Sequence, residues 1–177
     1  MIERRKIKLY ESINGRQVVV GTATYQVFHI DRVPSTKMPF IVRDLADVIQ
    51  TLKANPNTTI DNYIRCSTIY NIDTFRIYKK YRHNGFGSRQ IKAMCYTFTD
   101  SGGIVCIKSA PLIADYPKEP DSTTRIAELI KQGFFLEING FRDINSLCGF
   151  ENGVAYLYIN NAAKPILKHI ITDEIRE

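Results

Sequence analysis

A change in hydrophobic period marks the segment Tyr78-Lys79-Lys80-Tyr81-Arg82-His83-Asn84-Gly85-Phe86-Gly87-Ser88. The run before it, residues 67 to 78, is rich in β-branched and aromatic residues, and Ile69, Phe75 and Ile77 occupy alternating positions, as in a strand. After it, apolar residues recur at helical spacing, at Ile91, Met94, Cys95 and Phe98. The segment therefore predicts a strand, a glycine turn and a helix in this order.

The two glycines of this turn, Gly85 and Gly87, suit it to binding an anion. Glycine permits positive φ and carries no side chain, so successive backbone N–H groups can converge at the start of the following helix. Basic residues are dense around the turn: Arg76, Lys79, Lys80, Arg82, His83, Arg89 and Lys92. The pattern predicts a phosphate site, and the alternative is a structural turn beside a solvated basic face. Because neither G-K-[ST] nor G-x-G-x-x-G occurs here, a P-loop and a Rossmann turn are excluded.

The loop Arg82-His83-Asn84-Gly85-Phe86-Gly87 resembles the [RQ]-x-x-G-x-[GA] pyrophosphate loop of the GNAT family of acyl-coenzyme A N-acyltransferases. Two later blocks follow in the order that this family shows. Residues 104 to 110 resemble the apolar strand after the loop's helix, and residues 135 to 142 resemble the family's F-Y-E-x-x-G-F-[RE] helix ending. A strand predicted at residues 154 to 159 completes the series, so the resemblance spans residues 67 to 159.

The resemblance implies an α/β fold of GNAT type, with a central mixed, mostly antiparallel sheet flanked by helices, in a single domain over residues 1–177. It also implies transfer of the acetyl group of acetyl-coenzyme A to a primary amine of a small molecule, peptide or protein, by direct attack in a ternary complex. The pyrophosphate would lie on the backbone of the loop, and the pantetheine arm and oxyanion along the edge of the preceding strand. The implied cofactor-binding residues are Phe75, Arg76, Ile77, Arg82, His83, Asn84, Gly85, Phe86, Gly87 and Ser88.

The attacking ammonium must first lose a proton, which requires a base near the strand's open edge. Asp73 is the candidate, because alternation predicts that it shares a face with Phe75 and Ile77; a solvated or salt-bridged strand residue is the alternative. Glu137 is a weaker candidate. Many family members have a tyrosine as general acid where this chain has Leu136. Either the coenzyme A thiolate leaves stabilised by solvent, or the fold has lost catalysis, or another hydroxyl replaces the tyrosine. Tyr116 is the candidate for such a hydroxyl, with Ser109 and Tyr156 as the others.

Two other functions remain open at the level of sequence. Leu136 favours a catalytically silent binding module on the same fold. The net charge of +6 and the cluster Arg4-Arg5-Lys6-Lys8 leave open a nucleic-acid partner, such as an acylase that acts on charged transfer RNA, although solvated terminal charges explain the cluster equally well. No motif of a dedicated nucleic-acid module is present.

Composition is that of an ordinary globular chain, with 44% hydrophobic and 24% charged residues among 177. Four separated cysteines, Cys66, Cys95, Cys106 and Cys148, predict buried reduced thiols without a zinc site or a disulfide framework, and no metal is expected. No run approaches the ~18 apolar residues of a membrane span. We therefore expect a cytoplasmic protein with no membrane partner, as a monomer or homodimer.

The remaining elements can be predicted from local signals. Residues 7 to 10 and 18 to 27 are predicted to form two strands joined at Asn14-Gly15. A helix should follow and stop at Asn55-Pro56, with one face formed by Ile41, Leu45, Val48, Ile49 and Leu52. Residues 57 to 66 are ambiguous. Asp121 or Ser122 can cap a helix that carries Ile126, Leu129 and Ile130 and ends at Asn139-Gly140. Gly133 within it indicates a kink or a close backbone approach.

Overall fold

The computed structural model describes residues 2–54, 68–109, 118, 121–144, 154–160 and 163–174, with side chains up to 169 in the last range. The strands are β1 (Ile2–Ile13), β2 (Arg16–His29), β3 (Thr68–Ile77), β4 (Ile104–Ser109), β5 (Phe141–Asp143) and β6 (Val154–Tyr158). The helices are α1 (Phe40–Ala54), α2 (Phe86–Asp100), α3 (Ser122–Ile138) and α4 (Ala163–Glu174), with short 3-10 turns at Ser35–Lys37 and Lys79–Tyr81.

The strands form one six-stranded sheet in the order β1-β2-β3-β4-β6-β5. The pair β3–β4 is parallel and the other four pairs are antiparallel. The long connection through α2 is what a parallel pair requires, since a tight turn can join only antiparallel neighbours. The predicted α/β architecture, a mixed and mostly antiparallel sheet flanked by helices, is confirmed.

The predicted N-terminal hairpin is present and longer than the sequence suggests. Asn14 and Gly15 have φ of 51° and 74°, as a two-residue type I′ turn requires. Strands β1 and β2 extend beyond the alternating apolar core of each run, because cross-strand pairing continues from Ile2 with Phe28 to Ile13 with Arg16. Polar residues at the ends of β1 hid this extension from a prediction based on hydrophobic alternation.

Buried side chains form two clusters, one on each face of the sheet. One contains Phe28, Ile69, Ile104 and Cys106 with the inner faces of α1 and α4. The other contains Ile72, Val105 and Ile107 with α2 and Leu136 of α3. Neighbouring residues of one strand fall in different clusters because successive strand side chains point to opposite faces.

A β-bulge interrupts β3 at Asp73. Thr74 pairs with Thr24 and Ile72 pairs with Tyr25, so Asp73 is the extra residue between two adjacent partners. Beyond the bulge the alternation changes phase: Ile69 packs with α1 and α4, whereas Phe75 and Ile77 pack on the side of α2 and α3. The predicted alternation of Ile69 with Phe75 and Ile77 is therefore wrong, because a bulge cannot be read from hydrophobic spacing.

The helical predictions are mostly confirmed. Helix α1 spans Phe40–Ala54, and its predicted stop at Asn55-Pro56 lies outside the described residues. Asp121 caps α3 by accepting a hydrogen bond from the Thr124 N–H at 2.7 Å. Helix α3 ends at Ile138, and Gly140 follows with φ of 92°. The helix carries Ile126, Leu129 and Ile130 as predicted. Ile126 and Ile130 are exposed on it, whereas Gly133 and Leu136 are buried.

The expected state of the cysteines is confirmed where they can be seen. Cys95 and Cys106 are buried free thiols, while Cys66 and Cys148 lie outside the described residues. The described part of the chain contains no cluster of side chains that could hold a metal ion. None of its helices is long and apolar enough to cross a membrane.

Candidate functional site

A gap opens between the two parallel strands at the centre of the sheet. Their pairing begins at Ile69 with Ile104 and ends at Ile72 with Ile107, although β3 continues to Ile77 and β4 to Ser109. A cavity of about 570 Å³ occupies this gap and reaches the start of α2 and one face of α3. This volume lies within the range of small-molecule sites, roughly 300–1,000 Å³.

The cavity is lined by parts of four elements and the loop before α2. The strands supply Asp73, Thr74, Phe75, Ile77, Ile107, Lys108 and Ser109; the loop and α2 supply Arg82, His83, Gly85, Gly87 and Ser88; and α3 supplies Glu128, Lys131, Gln132, Phe135 and Leu136.

The free edge of β3 turns backbone donors toward the gap. The Tyr78 N–H donates to Val20 O at 2.9 Å, on the side of β2. Hydrogen-bonded and non-bonded pairs alternate along an antiparallel ladder, so Ile77 and Phe75 are non-bonded toward β2. Their N–H groups therefore point into the gap, where they can donate to a ligand.

The loop before α2 is held in a shape that few sequences adopt. His83 and Gly85 have φ of 65° and 73°, and Gly85 is the N-cap residue of α2, where no side chain caps the first N–H groups. Gly87 does not need positive φ, because it lies in the first turn of the helix; an added Cβ there would lie 3.3 Å from the Phe135 ring. Arg82 anchors the loop to β3 by donating from Nε to Ile77 O at 2.9 Å.

Most of the residues implied for the cofactor come together in this cavity. Phe75, Ile77, Arg82, His83, Gly85, Gly87 and Ser88 line it, and Arg76, Asn84 and Phe86 do not. Asn84 instead braces the loop by donating to Arg82 O at 3.1 Å. Arg89, one of the basic residues near the turn, is held by both carboxylate oxygens of Glu11 at 3.2 Å.

Asp73, the candidate base, lies at the bulge and lines the cavity. Its Oδ1 accepts a hydrogen bond from Asn71 Nδ2 at 3.0 Å, and Asn71 Oδ1 accepts one from Cys106 Sγ at 3.6 Å. These contacts put Asp73 on the side of α1 and α4, so the predicted shared face with Phe75 and Ile77 is wrong. Asp73 Oδ2 lies 3.4 Å from Arg4 Nε, and no described group forms a hydrogen bond to it.

Burial controls the acidity of Asp73. Removal of water raises the pKa of its carboxyl above the usual value, and the Arg4 guanidinium lowers that pKa to a smaller extent. The predicted alternative, a salt-bridged strand residue, is thus present as well: Asp73 is both paired with Arg4 and exposed to the cavity. Oδ1 is fixed by Asn71, and Oδ2 is buried beside Arg4 without a hydrogen bond from a described group.

The candidates for a general acid differ in position. Tyr116 lies outside the described residues. The Tyr156 side chain is buried and contacts Gly133. A Cβ added at Gly133 would overlap the hydroxyl oxygen of Tyr156, which confirms the predicted close approach. Leu136 lines the cavity and is buried, and Ser109 lines the cavity from the other strand. Glu137 is exposed on α3.

One wall of the cavity escaped prediction from sequence. Glu128, Lys131 and Gln132 of α3 line it, and Lys131 Nζ lies 3.3 Å from Glu128 Oε1. These residues precede Phe135 and Leu136 at i, i+3, i+4, i+7 and i+8 spacing, which would have placed them on one helix face. The prediction of this helix rested instead on the apolar residues Ile126, Leu129 and Ile130.

Neither the models of known protein families nor the curated proteins match this chain. The resemblance of the loop and of the two later blocks therefore rests on the residues themselves.

Proposed function

We propose that this chain has a GNAT-type fold and transfers an acetyl group from acetyl-coenzyme A to a primary amine. The observation that carries the proposal is the single cavity joining an uncapped helix N-terminus, a free strand edge and a carboxylate. Acetyl-coenzyme A is a long donor with phosphates at one end and a thioester at the other. It therefore matches the order of these three features along the cavity.

The loop supports binding of the phosphates. Positive φ at His83 and Gly85 turns the chain so that backbone N–H groups gather at the start of α2, where the helix dipole favours an anion. Arg82 and His83 add side-chain donors from the cavity wall. Arg89 is less available, because Glu11 already pairs with it.

The strand edge supports positioning of the thioester. The N–H groups of Phe75 and Ile77 point into the gap and can donate both to the amide groups of a pantetheine arm and to the carbonyl oxygen of the thioester. Donors held by a strand need no reorganisation when negative charge develops on that oxygen, and this stabilises the transition state.

Asp73 supports removal of the proton from the acceptor. Its raised pKa makes it a stronger base than an exposed aspartate, and Asp73 is part of the cavity lining. It approaches the gap from the side of α1 and α4, opposite the loop. The acceptor would therefore enter on that side while the donor lies on the other.

A catalytically silent binding module is the second candidate, and Leu136 is the observation that favours it. This buried leucine lines the cavity at the position of the usual tyrosine acid. Action on nucleic acid is less well supported than acetyl transfer, because two members of the basic cluster are already paired: Arg4 with Asp73 and Arg5 with Glu3.

The first test is calorimetric titration with acetyl-coenzyme A and, at matched salt, with ATP, because salt screens unspecific attraction of phosphates. We expect micromolar or tighter binding of acetyl-coenzyme A alone. Equal binding of both ligands, or of neither, would contradict the proposal. Release of the coenzyme A thiol in a screen of amines then separates an enzyme from a silent module.

Two matched variants locate the site. Gly85→Glu should abolish binding of acetyl-coenzyme A, because it places bulk and negative charge at the loop. Gly102→Glu is the control: Gly102 also has positive φ (80°), also has open space around an added Cβ, and lies at the far end of α2. Both changes should lower the free energy of unfolding by a similar ~1–2 kcal/mol. Equal affinities in the two variants would refute the loop as the binding site.

A further inference from the structure

We infer that the Ser109 hydroxyl donates a hydrogen bond to the departing sulfur of the thioester, the task for which Leu136 has no polar group. This inference rests on the proposed acetyl transfer and adds a catalytic residue to it.

The first observation is that the Ser109 hydroxyl is buried without a partner. Ser109 is 3% exposed and lines the cavity, and no described group forms a hydrogen bond with its Oγ. Buried polar atoms are nearly always paired, because an unpaired one loses its bonds to water without compensation. A ligand in the cavity would supply the missing partner.

The second observation is where Ser109 stands in the gap. It lies two residues beyond Ile107, the last residue of β4 that pairs with β3. Its side chain continues the alternation of Val105 and Ile107, which pack on the side of α2 and α3. Ser109 therefore approaches the gap from the side of the phosphate loop, and Asp73 approaches it from the opposite side.

This opposition matches the direction of the reaction. The amine would attack from the side of Asp73, and the sulfur remains attached to the arm that runs toward the loop. A donor to the sulfur must then stand on the loop side, across from the N–H groups of Phe75 and Ile77.

Other polar groups of the cavity are less well placed. Lys108 has the opposite orientation to Ser109 along β4, and Lys131 is paired with Glu128. The Thr74 hydroxyl lies 2.7 Å from that of Thr24 and so already has a partner. Tyr156 does not line the cavity.

The chemical step balances without a further reagent. Asp73 accepts one proton from the ammonium, the nitrogen forms a bond to the carbonyl carbon, and the carbonyl electron pair moves to oxygen. When that pair returns, the carbon–sulfur bond breaks and its electrons leave on sulfur, which Ser109 stabilises while keeping its own proton. The nitrogen loses its second proton to water, the thiolate takes one from water, and Asp73 releases its proton to solvent.

The test compares coenzyme A with desulfo-coenzyme A, which lacks the sulfur, and needs no knowledge of the acceptor. At pH 9 most of the thiol is ionised, since a free thiol has a pKa near ~8.5. We expect the protein to bind coenzyme A about tenfold more tightly than desulfo-coenzyme A, as one charge-assisted hydrogen bond provides. In Ser109→Ala this ratio should fall to about one.

Thr74→Val is the matched control, because it removes a cavity hydroxyl that already has a partner; it should keep the ratio. Ser109→Thr provides a second variant that keeps a hydroxyl donor at pH 9, and it should keep the preference for coenzyme A. If the unchanged protein prefers coenzyme A and Ser109→Ala prefers it equally, the inference is wrong and the proposed function stands. If the unchanged protein binds neither ligand, the proposed function fails and the inference fails with it.

Discussion

Asp73 is held by other side chains and also lines the cavity. It is fixed by Asn71 and paired with Arg4. Its carboxyl is less stable as an anion than in water, because burial outweighs the attraction of Arg4. Because its anionic form is destabilised, this carboxylate accepts a proton more readily than an exposed aspartate and does not stabilise the fold through its charge.

Asp73→Asn should separate these two effects. The pKa of Asp73 is higher in the folded than in the unfolded chain, so stability is present below the unfolded value and is lost as pH rises through the raised one. We expect Asp73→Asn to unfold at pH 7 no more easily than the unchanged protein, with the difference disappearing below pH ~3. A lower melting temperature at pH 7 would show that the ion pair with Arg4 dominates.

The same substitution should impair catalysis if Asp73 is the base. Turnover of the best amine in the screen should fall by about 100-fold, as for loss of a general base, while the dissociation constant of acetyl-coenzyme A changes little. Unchanged turnover would remove Asp73 from the proposed mechanism and leave the binding site intact.

Cys95 is a buried thiol that does not line the cavity. Its side chain is fully enclosed, and burial raises the pKa of its thiol to about 12. Since the thiolate is the reactive form, we expect Cys95 to resist iodoacetamide at pH 8 in the folded protein and to react fully in denaturant, as measured by peptide mass mapping. Fast labelling of Cys95 in the native state would contradict its burial in the core.

At the scale of elements, the bulge in β3 and the early end of pairing with β4 together create the site. The bulge brings a carboxylate to the side of α1 and α4 while Phe75 and Ile77 keep to the side of α2 and α3. The end of pairing releases their N–H groups from β4. A regular strand paired along its whole length would leave neither a donor nor a cavity.

The packing of α3 against β6 yields a prediction at this scale. Gly133→Ala should improve helix propensity, but its Cβ would overlap the hydroxyl oxygen of the buried Tyr156. We expect Gly133→Ala to lower the free energy of unfolding by ~1–3 kcal/mol. In a Tyr156→Phe background the overlap disappears, since the next ring atom lies 3.4 Å away, and the same change should stabilise by up to ~1 kcal/mol.

Chemical denaturation of the four proteins in this cycle measures the coupling. If Gly133→Ala has the same effect in both backgrounds, Tyr156 does not limit the approach of α3. The experiment leaves the cavity untouched, since neither residue lines it.

At the scale of the whole molecule, the sheet separates two cores. Ile49 of α1 belongs to one and Ile91 of α2 to the other, and both are buried. Since β3 and β4 contribute side chains to both, the sheet holds the two cores together while keeping their side chains apart.

Mutations in the two cores should therefore be additive. Ile49→Val and Ile91→Val should each lower the free energy of unfolding by about 1 kcal/mol, the usual effect of removing a buried methyl group. The double variant should lose the sum to within about 0.5 kcal/mol in denaturant titration. A clearly larger deviation would show that the cores are coupled through the sheet.

The sequence alone predicted most of the described elements in their order, but not β5 or α4. The hairpin at Asn14-Gly15, the helix of Ile91 and Cys95 and the cap at Asp121 depend on residues close together in the chain, whose spacing and backbone preferences can be read directly. The glycine loop before α2 belongs to the same class, because its geometry depends on Gly85 and its neighbours.

Only the tertiary structure decided what surrounds that loop. The side of the sheet that Asp73 occupies depends on a bulge, and a bulge arises from pairing with a distant strand. The gap depends on where β3 stops pairing with β4. Ser109 lies in the gap because it is two residues beyond Ile107, the last residue of β4 that pairs with β3. Such features result from contacts between segments far apart in the chain, which no local pattern of residues encodes.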